Sequence, residues 1–153
     1  MQSLQERFAP HGRCFGCGPA NEKGLRIRSV PTDDGEVVAR WWPQDHHLAF
    51  EGVLSGGICA TLLDCHGNWT AAYHIMRERG EDTPPTTVTA KFEVELLQVT
   101  PMDRELVLRA RVDEVTSKRA VVSAAIEAGD QVTARLRGTF VAVKEGHPAF
   151  GRW

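Results

Sequence analysis

Aromatic residues are sparse in this chain. They make up 7% of its 153 residues, with one tyrosine, six phenylalanines and four tryptophans, so composition alone marks no site for an aromatic ring. No apolar run reaches the roughly 20 residues a helix needs to span a bilayer, and Met1 to Arg7 lacks the apolar centre of a secretory signal. A cytoplasmic protein with no membrane partner is therefore expected. Basic excess is missing too: 18 Lys and Arg stand against 20 Asp and Glu, for a net charge of −2, and no basic run would make a groove-binding patch, so no nucleic-acid partner is expected. No internal repeat, low-complexity segment or linker divides the chain, and its length suits one domain over residues 1–153. Cysteines are few, at 14, 17, 59 and 65. Without a secretory signal they do not read as a disulfide framework, and reduced thiols are expected.

The rest of the chain is organised around the stretch from Phe50 to Asp64. Glycines at 52, 56 and 57 permit a tight turn and a close approach of another group to the backbone. An apolar helix follows, expected from about Gly56 to Arg79 and ended by Gly80 and the Pro84–Pro85 pair. Its first amides have no intrahelical acceptor, and together with the positive end of the helix dipole they suit a polarised carbonyl oxygen. Asp64 stands seven residues beyond Gly57, on the same face and about 10 Å along the axis. Glycines before a helix are often only a connection, and a helical aspartate is usually solvated. Here Ile58, Ala60, Leu62 and Leu63 surround the carboxylate, and a charge in that setting is costly unless used or paired. Asn68, four residues on, shares the Asp64 face and is a candidate hydrogen-bond partner for the carboxylate or a water. His66 points away from Asp64, which disfavours a Ser55–His66–Asp64 triad within one helix. Gly67 costs the helix about 1 kcal/mol against alanine, which suggests close packing there, against another subunit among the options.

Residues 1–13 are polar and weakly patterned, consistent with a flexible lead-in or a short helix over the body. From Cys14 to Leu25 the chain is dense in turn formers. Cys14, Cys17 and His11 could supply three zinc ligands, but structural zinc normally takes four and no second Cys-x-x-Cys is present. Cys59 and Cys65 fall on the apolar helix and read as small buried hydrophobes. Alternation over Leu25–Val30, a turn at Asp33–Gly35, and Glu36–Trp42 read as a hairpin. His46 and His47 lie in the loop of residues 43–50, and adjacent histidines point to different sides, so a surface pair is the plainer reading. After the helix come four strand candidates, Thr86–Leu97, Arg104–Val115, Arg119–Ala128 and Gln131–Val143. In the second, Leu106, Leu108, Ala110 and Val112 share one face while Arg109, Arg111 and Asp113 share the other, as in a half-buried antiparallel strand. Residues 144–153 read as a tail that packs loosely or joins an interface.

The segment from Gly52 to Asp64, Gly-Val-Leu-Ser-Gly-Gly-Ile-Cys-Ala-Thr-Leu-Leu-Asp, resembles the signature of hotdog-fold acyl-CoA thioesterases, the phenylacetyl-CoA and hydroxybenzoyl-CoA thioesterase superfamily. Its usual form is Gly-x-x-His-Gly-Gly followed by a helix carrying Asp or Glu. The run from Cys14 to Leu25 is similar to the Cys-x-x-Cys-Gly-x-x-Asn-x-x-Gly-Leu lead segment of many relatives, where it is structural. The resemblance covers about Cys14 to Val143 and implies an α+β hotdog, a curved antiparallel sheet of about six strands wrapped around one long helix. It implies hydrolysis of an acyl-CoA in a homodimer or tetramer of dimers, with each site between two subunits and no metal or cofactor. The Gly57 amide would polarise the carbonyl, beside Ser55 and Gly56 in the turn. Asp64 would be nucleophile or general base, assisted by Thr89 with Thr87 in reserve. His47 would lie near the substrate, and Lys91, Lys118 or Arg119 would rim the anionic CoA. Ser55 stands where the family usually has His, a departure bearing on efficiency and substrate choice. It also leaves room for a non-catalytic acyl-CoA-binding protein. A hotdog dehydratase would need a catalytic His in a setting this sequence lacks.

Overall fold

A computed structural model describes residues 1–153. Its elements are two helices, α1 (Leu4–Phe8) and α2 (Gly56–Arg79), and eight strands, β1 (Val30–Pro31), β2 (Val37–Trp41), β3 (Leu48–Phe50), β4 (Val53–Leu54), β5 (Thr87–Leu96), β6 (Leu106–Val115), β7 (Arg119–Ala128) and β8 (Gln131–Ala142). Six strands form one antiparallel sheet in the order β1-β2-β6-β7-β8-β5, and β3 and β4 pair separately just before α2. The sheet wraps α2 in the hotdog arrangement. No helix is long and apolar enough to cross a membrane.

Helix α2 is apolar on most sides because it is the core. Leu62, Leu63, Trp69, Ala71, Ala72 and Ile75 are each at most 1% exposed, the pattern of a helix enclosed by its own domain. It stops at Gly80, whose φ of 66° is left-handed. The Gly80 amide donates to Arg77 O and that of Glu81 to Met76 O, at 3.1 and 3.0 Å, which satisfies carbonyls the helix end would leave open.

Period-two alternation decides the sheet. Val37, Ala39, Leu106, Leu108, Val122 and Ile126 face α2 and are almost completely buried. The opposite face carries a ladder of ion pairs, Arg109 with Glu36 and Glu127, Arg111 with Asp34, Arg135 with Glu95 and Arg137 with Asp113, at 2.8 to 3.4 Å. Each exposed pair contributes on the order of 0–1 kcal/mol, so the apolar face, rather than the charged one, sets stability and register.

Phe140 on β8 is fully buried and explains two glycines. A β-carbon at Gly67 would lie 2.8 Å from the ring, and one at Gly138 would lie 2.9 Å from it. The close packing expected at Gly67 is thus intramolecular, and α2 forgoes about 1 kcal/mol of helix propensity to admit the ring.

Two segments differ from their sequence expectations, those around residues 25–31 and 144–153, while residues 1–13 take the second of the two forms expected, a short helix over the body. Leu25, Ile27 and Ser29 are buried in alternation, yet only Val30 and Pro31 form a strand. The backbone before them, turned at Arg26 by a left-handed φ of 54°, donates instead to the cysteine loop, Leu25 N to Phe15 O and Ile27 N to Gly16 O. Residues 1–13 are tied down by α1, where Ser3 and Glu6 form a capping box, and by buried Gln5, whose side chain bonds Ser29. Residues 144–153 do not pack loosely. Trp153 stacks on Trp69 with ring centres 4.6 Å apart, the Gly151 amide donates to Thr86 Oγ1, and Arg152 donates to Thr87 O at 2.9 Å.

Candidate active site

The start of α2 offers two donors. Ser55 O accepts from the Ile58 and Cys59 amides, both at 3.1 Å, and Ser55 N donates to His47 O, which holds the turn. The Gly56 and Gly57 amides make no hydrogen bond within the chain, and the Ser55 hydroxyl caps neither. Gly57 is exposed, and a β-carbon there would meet only Ser55 Oγ, at 3.7 Å. A β-carbon on Gly56 would press to 2.8 Å from Leu96, so Gly56 lets β5 close over the helix start. Beside this turn lies an apolar hollow of about 350 Å³ lined by Phe50, Val53, Leu54, Leu96 and Val99, among others.

Two turns further along, Asp64 opens onto a smaller cavity of about 130 Å³ together with Asn68, Val88, Thr89, Arg152 and three cysteines. Thr89 Oγ1 donates to Asp64 Oδ1 at 2.6 Å, a charge-assisted distance. Burial raises the Asp64 pKa above the ordinary carboxylate value, the Thr89 bond works against this, the nearby Cys14 sulfur adds to the rise and Arg152 opposes it. Desolvation wins, so the carboxylate is more basic than one in water.

A β-bulge in β5 decides which side chains reach this cavity. Thr89 pairs with Phe140 and Lys91 with the adjacent Thr139, leaving Ala90 as the extra residue. Directly opposed residues share a face. Thr89 therefore follows Phe140 inward, while Lys91 follows Thr139 to the outer face, where it pairs with Glu93 at 3.7 Å. Plain alternation would have set Thr89 and Lys91 side by side.

The other expected residues are distributed as follows. Asn68 reaches the cavity, but its Oδ1 accepts from Thr87 Oγ1 at 2.8 Å, so Thr87 serves Asn68 and Thr89 serves Asp64. His47 is 7% exposed. It stacks on Trp41 and accepts the Gln44 amide through Nδ1 at 3.0 Å, while burial lowers its pKa. Lys118 and Arg119 are exposed at the turn between β6 and β7. His66 is sealed away from Asp64, its Nε2 donating to Val37 O and its Nδ1 accepting from Ser29 Oγ, both at 2.9 Å.

Two features escaped the sequence reading. Arg152 brings a cation to the Asp64 cavity from a segment whose composition gives no signal for it. Cys65, expected to be an inert hydrophobe, stands with Cys14 and Cys17, all three sulfurs lying within 4.8 Å of one another. The third group beside the Cys-x-x-Cys pair is thus Cys65 and not His11.

No protein-family model matches the chain, and no curated protein does. Solved structures do. A thioesterase superfamily protein from Shewanella loihica PV-4 is 29% identical, with a TM-score of 0.67 over 82% of this chain and 98% of its own. A phenylacetic acid degradation-related protein from Ralstonia eutropha JMP134 is 16% identical, with a TM-score of 0.67 over 83% and 92% of the two chains. An uncharacterised protein from Pyrococcus horikoshii, at 16% identity, covers 95% of this chain and 97% of its own with a TM-score of 0.68. The fold is that of hotdog thioesterase superfamily structures.

Proposed function

We propose that the protein hydrolyses an acyl-CoA thioester to the free acid and CoA. The observation that carries this reading is the partly buried Asp64 carboxylate, held by a threonine hydroxyl at 2.6 Å rather than by a basic side chain and facing a cavity. Such a group is both oriented and basic. Likeness to the Shewanella loihica thioesterase superfamily protein supports the reaction class.

In this mechanism the thioester carbonyl oxygen accepts from the Gly57 amide, which stabilises the negative charge that develops as the carbonyl carbon becomes tetrahedral. Water adds to that carbon while Asp64 takes its proton. The C–S bond then breaks, CoA leaves as a thiolate and recovers the proton, and the acid is released. In the covalent variant Asp64 itself attacks and water cleaves the resulting anhydride. Thr89 occupies Oδ1 and leaves Oδ2 for either role. The hollow beside Gly56 suits the apolar part of the acyl group.

Gly57 and Asp64 lie about 10 Å apart along one helix, too far to act on one carbonyl, so the two groups come from facing subunits. A homodimer, or a tetramer built from two, supplies them. The free edge of β5 and the exposed Phe92 and Leu96, 42% and 58% accessible, offer the surface for that association.

The test is release of free CoA from short, medium, long and aromatic acyl-CoAs by the parent and by Asp64→Asn. The variant is expected to lose about 10²- to 10⁴-fold in turnover. Equal rates would remove Asp64 from the mechanism. No turnover by the parent despite measurable binding would make the protein a CoA-ester binder, the role that Ser55 in place of His leaves open.

A further inference from the structure

We propose that Cys14, Cys17 and Cys65 form a three-thiolate zinc site whose fourth position opens onto the cavity that holds Asp64. The inference stands apart from the thioesterase reading and does not depend on it.

The first argument is distance. Zinc binds sulfur at about 2.3 Å with tetrahedral angles, which sets neighbouring sulfurs about 3.8 Å apart. Cys14 Sγ and Cys65 Sγ are 3.8 Å apart, and no pair among the three sulfurs exceeds 4.8 Å. A disulfide would require about 2.05 Å, and all four cysteines are free thiols. The sulfurs thus sit near the corners of a tetrahedron whose centre a metal ion could fill with little movement.

The second argument is how the surroundings are built. A β-carbon on Gly16 would fall 2.3 Å from Cys65 Sγ, and one on Gly18 would fall 2.5 Å from the Cys14 amide nitrogen. Only glycine at both places lets the Cys14–Cys17 loop fold tightly against α2 and lets the Cys65 sulfur approach its backbone. One of the sulfurs also receives a donor suited to a thiolate. The Trp69 indole N–H donates to Cys17 Sγ at 3.3 Å. Such N–H···S bonds orient metal-bound thiolates and spread their charge.

The third argument is access. Cys17 and Cys65 are 7% and 8% exposed, while Cys14 is partly exposed and all three line the 130 Å³ cavity. That space admits an ion together with a water as fourth ligand. Softness of the donors selects zinc over magnesium or calcium, which take oxygen. The ion would clamp the loop before β1 to the middle of α2, beside the candidate catalytic carboxylate.

The test uses the reduced full-length chain, freed of metal by a chelator and titrated with Co²⁺ and then Zn²⁺. One ion per chain is expected, with the sulfur-to-cobalt charge-transfer band and the visible bands of a tetrahedral centre, both abolished by zinc. Cys14→Ser, at the most accessible ligand, should weaken zinc binding by at least about 100-fold while the fold persists by circular dichroism. Cys17→Ser and Cys65→Ser should do the same, whereas Cys59→Ala, outside the cluster and hydrogen-bonded to Thr100, should bind as the parent does. Absence of bound ion in the reduced parent, cobalt spectra without the charge-transfer band, or binding that survives Cys14→Ser would each overturn the site.

Discussion

Asp64 and His66 stand two residues apart on α2, so their side chains diverge by about 200° around its axis. On the His66 side every polar atom is spoken for. Gln5 Nε2 donates to Ser29 Oγ, that hydroxyl donates to His66 Nδ1, and His66 Nε2 donates to Val37 O, all at 2.9 Å. Burial pushes the imidazole pKa down to about 4, and the ring is a neutral cross-link between α2, β2 and the segment preceding β1. On the Asp64 side there is one hydrogen bond, from Thr89, and a cavity. The same helix therefore holds one ionisable group whose partners are complete and another with one oxygen left over. The complete set stabilises the fold, and the incomplete one is the place to look for chemistry.

This contrast predicts opposite outcomes for the two groups. Asp64→Asn should cost the largest factor in turnover yet leave denaturant stability unchanged or higher, because it removes a partly desolvated charge while keeping an acceptor for Thr89. His66→Ala should do the reverse in stability. It opens a void and strands the Ser29 hydroxyl and the Val37 carbonyl, for a loss of about 2–4 kcal/mol in equilibrium unfolding. A stable His66→Ala protein, or an Asp64→Asn protein that unfolds readily, would break the distinction.

Acid should expose the same difference. With His66 at about 4 in the fold against 6.5 ordinarily, the unfolded chain binds more protons between those values. Its contribution to stability is present above about pH 6.5 and is lost as pH falls toward 4. The loss is on the order of 3 kcal/mol. The groups facing the ring, Ser29, Gln5 and Val37 O, are uncharged, so none offsets the proton. The stability gap between parent and His66→Ala should narrow across that range, as read by unfolding midpoints at successive pH values. A gap that stays constant would mean that His66 takes up its proton without cost in the fold.

The smallest expected effect concerns Thr89. Thr89→Val preserves shape but withdraws the donor from Asp64 Oδ1, and turnover of the acyl-CoA that the parent prefers should fall about tenfold. Thr89→Ser, which restores a hydroxyl, should recover most of it. Equal rates for Val and Ser would reduce the 2.6 Å bond to packing.

Much of this molecule was legible before its structure was described. Gly56 and Gly80 bracket α2 because turn chemistry is local, and the alternation from Leu106 to Asp113 assigns inner and outer faces because side-chain direction in a strand has period two. Asp64 on α2 follows from simple counting. The bulge at Ala90 did not follow: it turns Lys91 outward and leaves Thr89 inward through a register shift against Phe140 and Thr139. Nor did the partner of Gly67, whose missing side chain makes room for a ring 73 residues later.

By itself the sequence determined what depends on neighbours along the chain: the helix and its caps, the alternating strands, the glycine turn with open amides, and a carboxylate two turns beyond it. Tertiary structure alone decided which distant groups meet. It placed Arg152 at the Asp64 cavity, gave Thr89 to Asp64 and Thr87 to Asn68, and brought Cys65 to Cys14 and Cys17 across 51 residues of chain. The physical reason is that local propensity acts over a few residues, whereas these contacts arise from burying one helix beneath a six-stranded sheet.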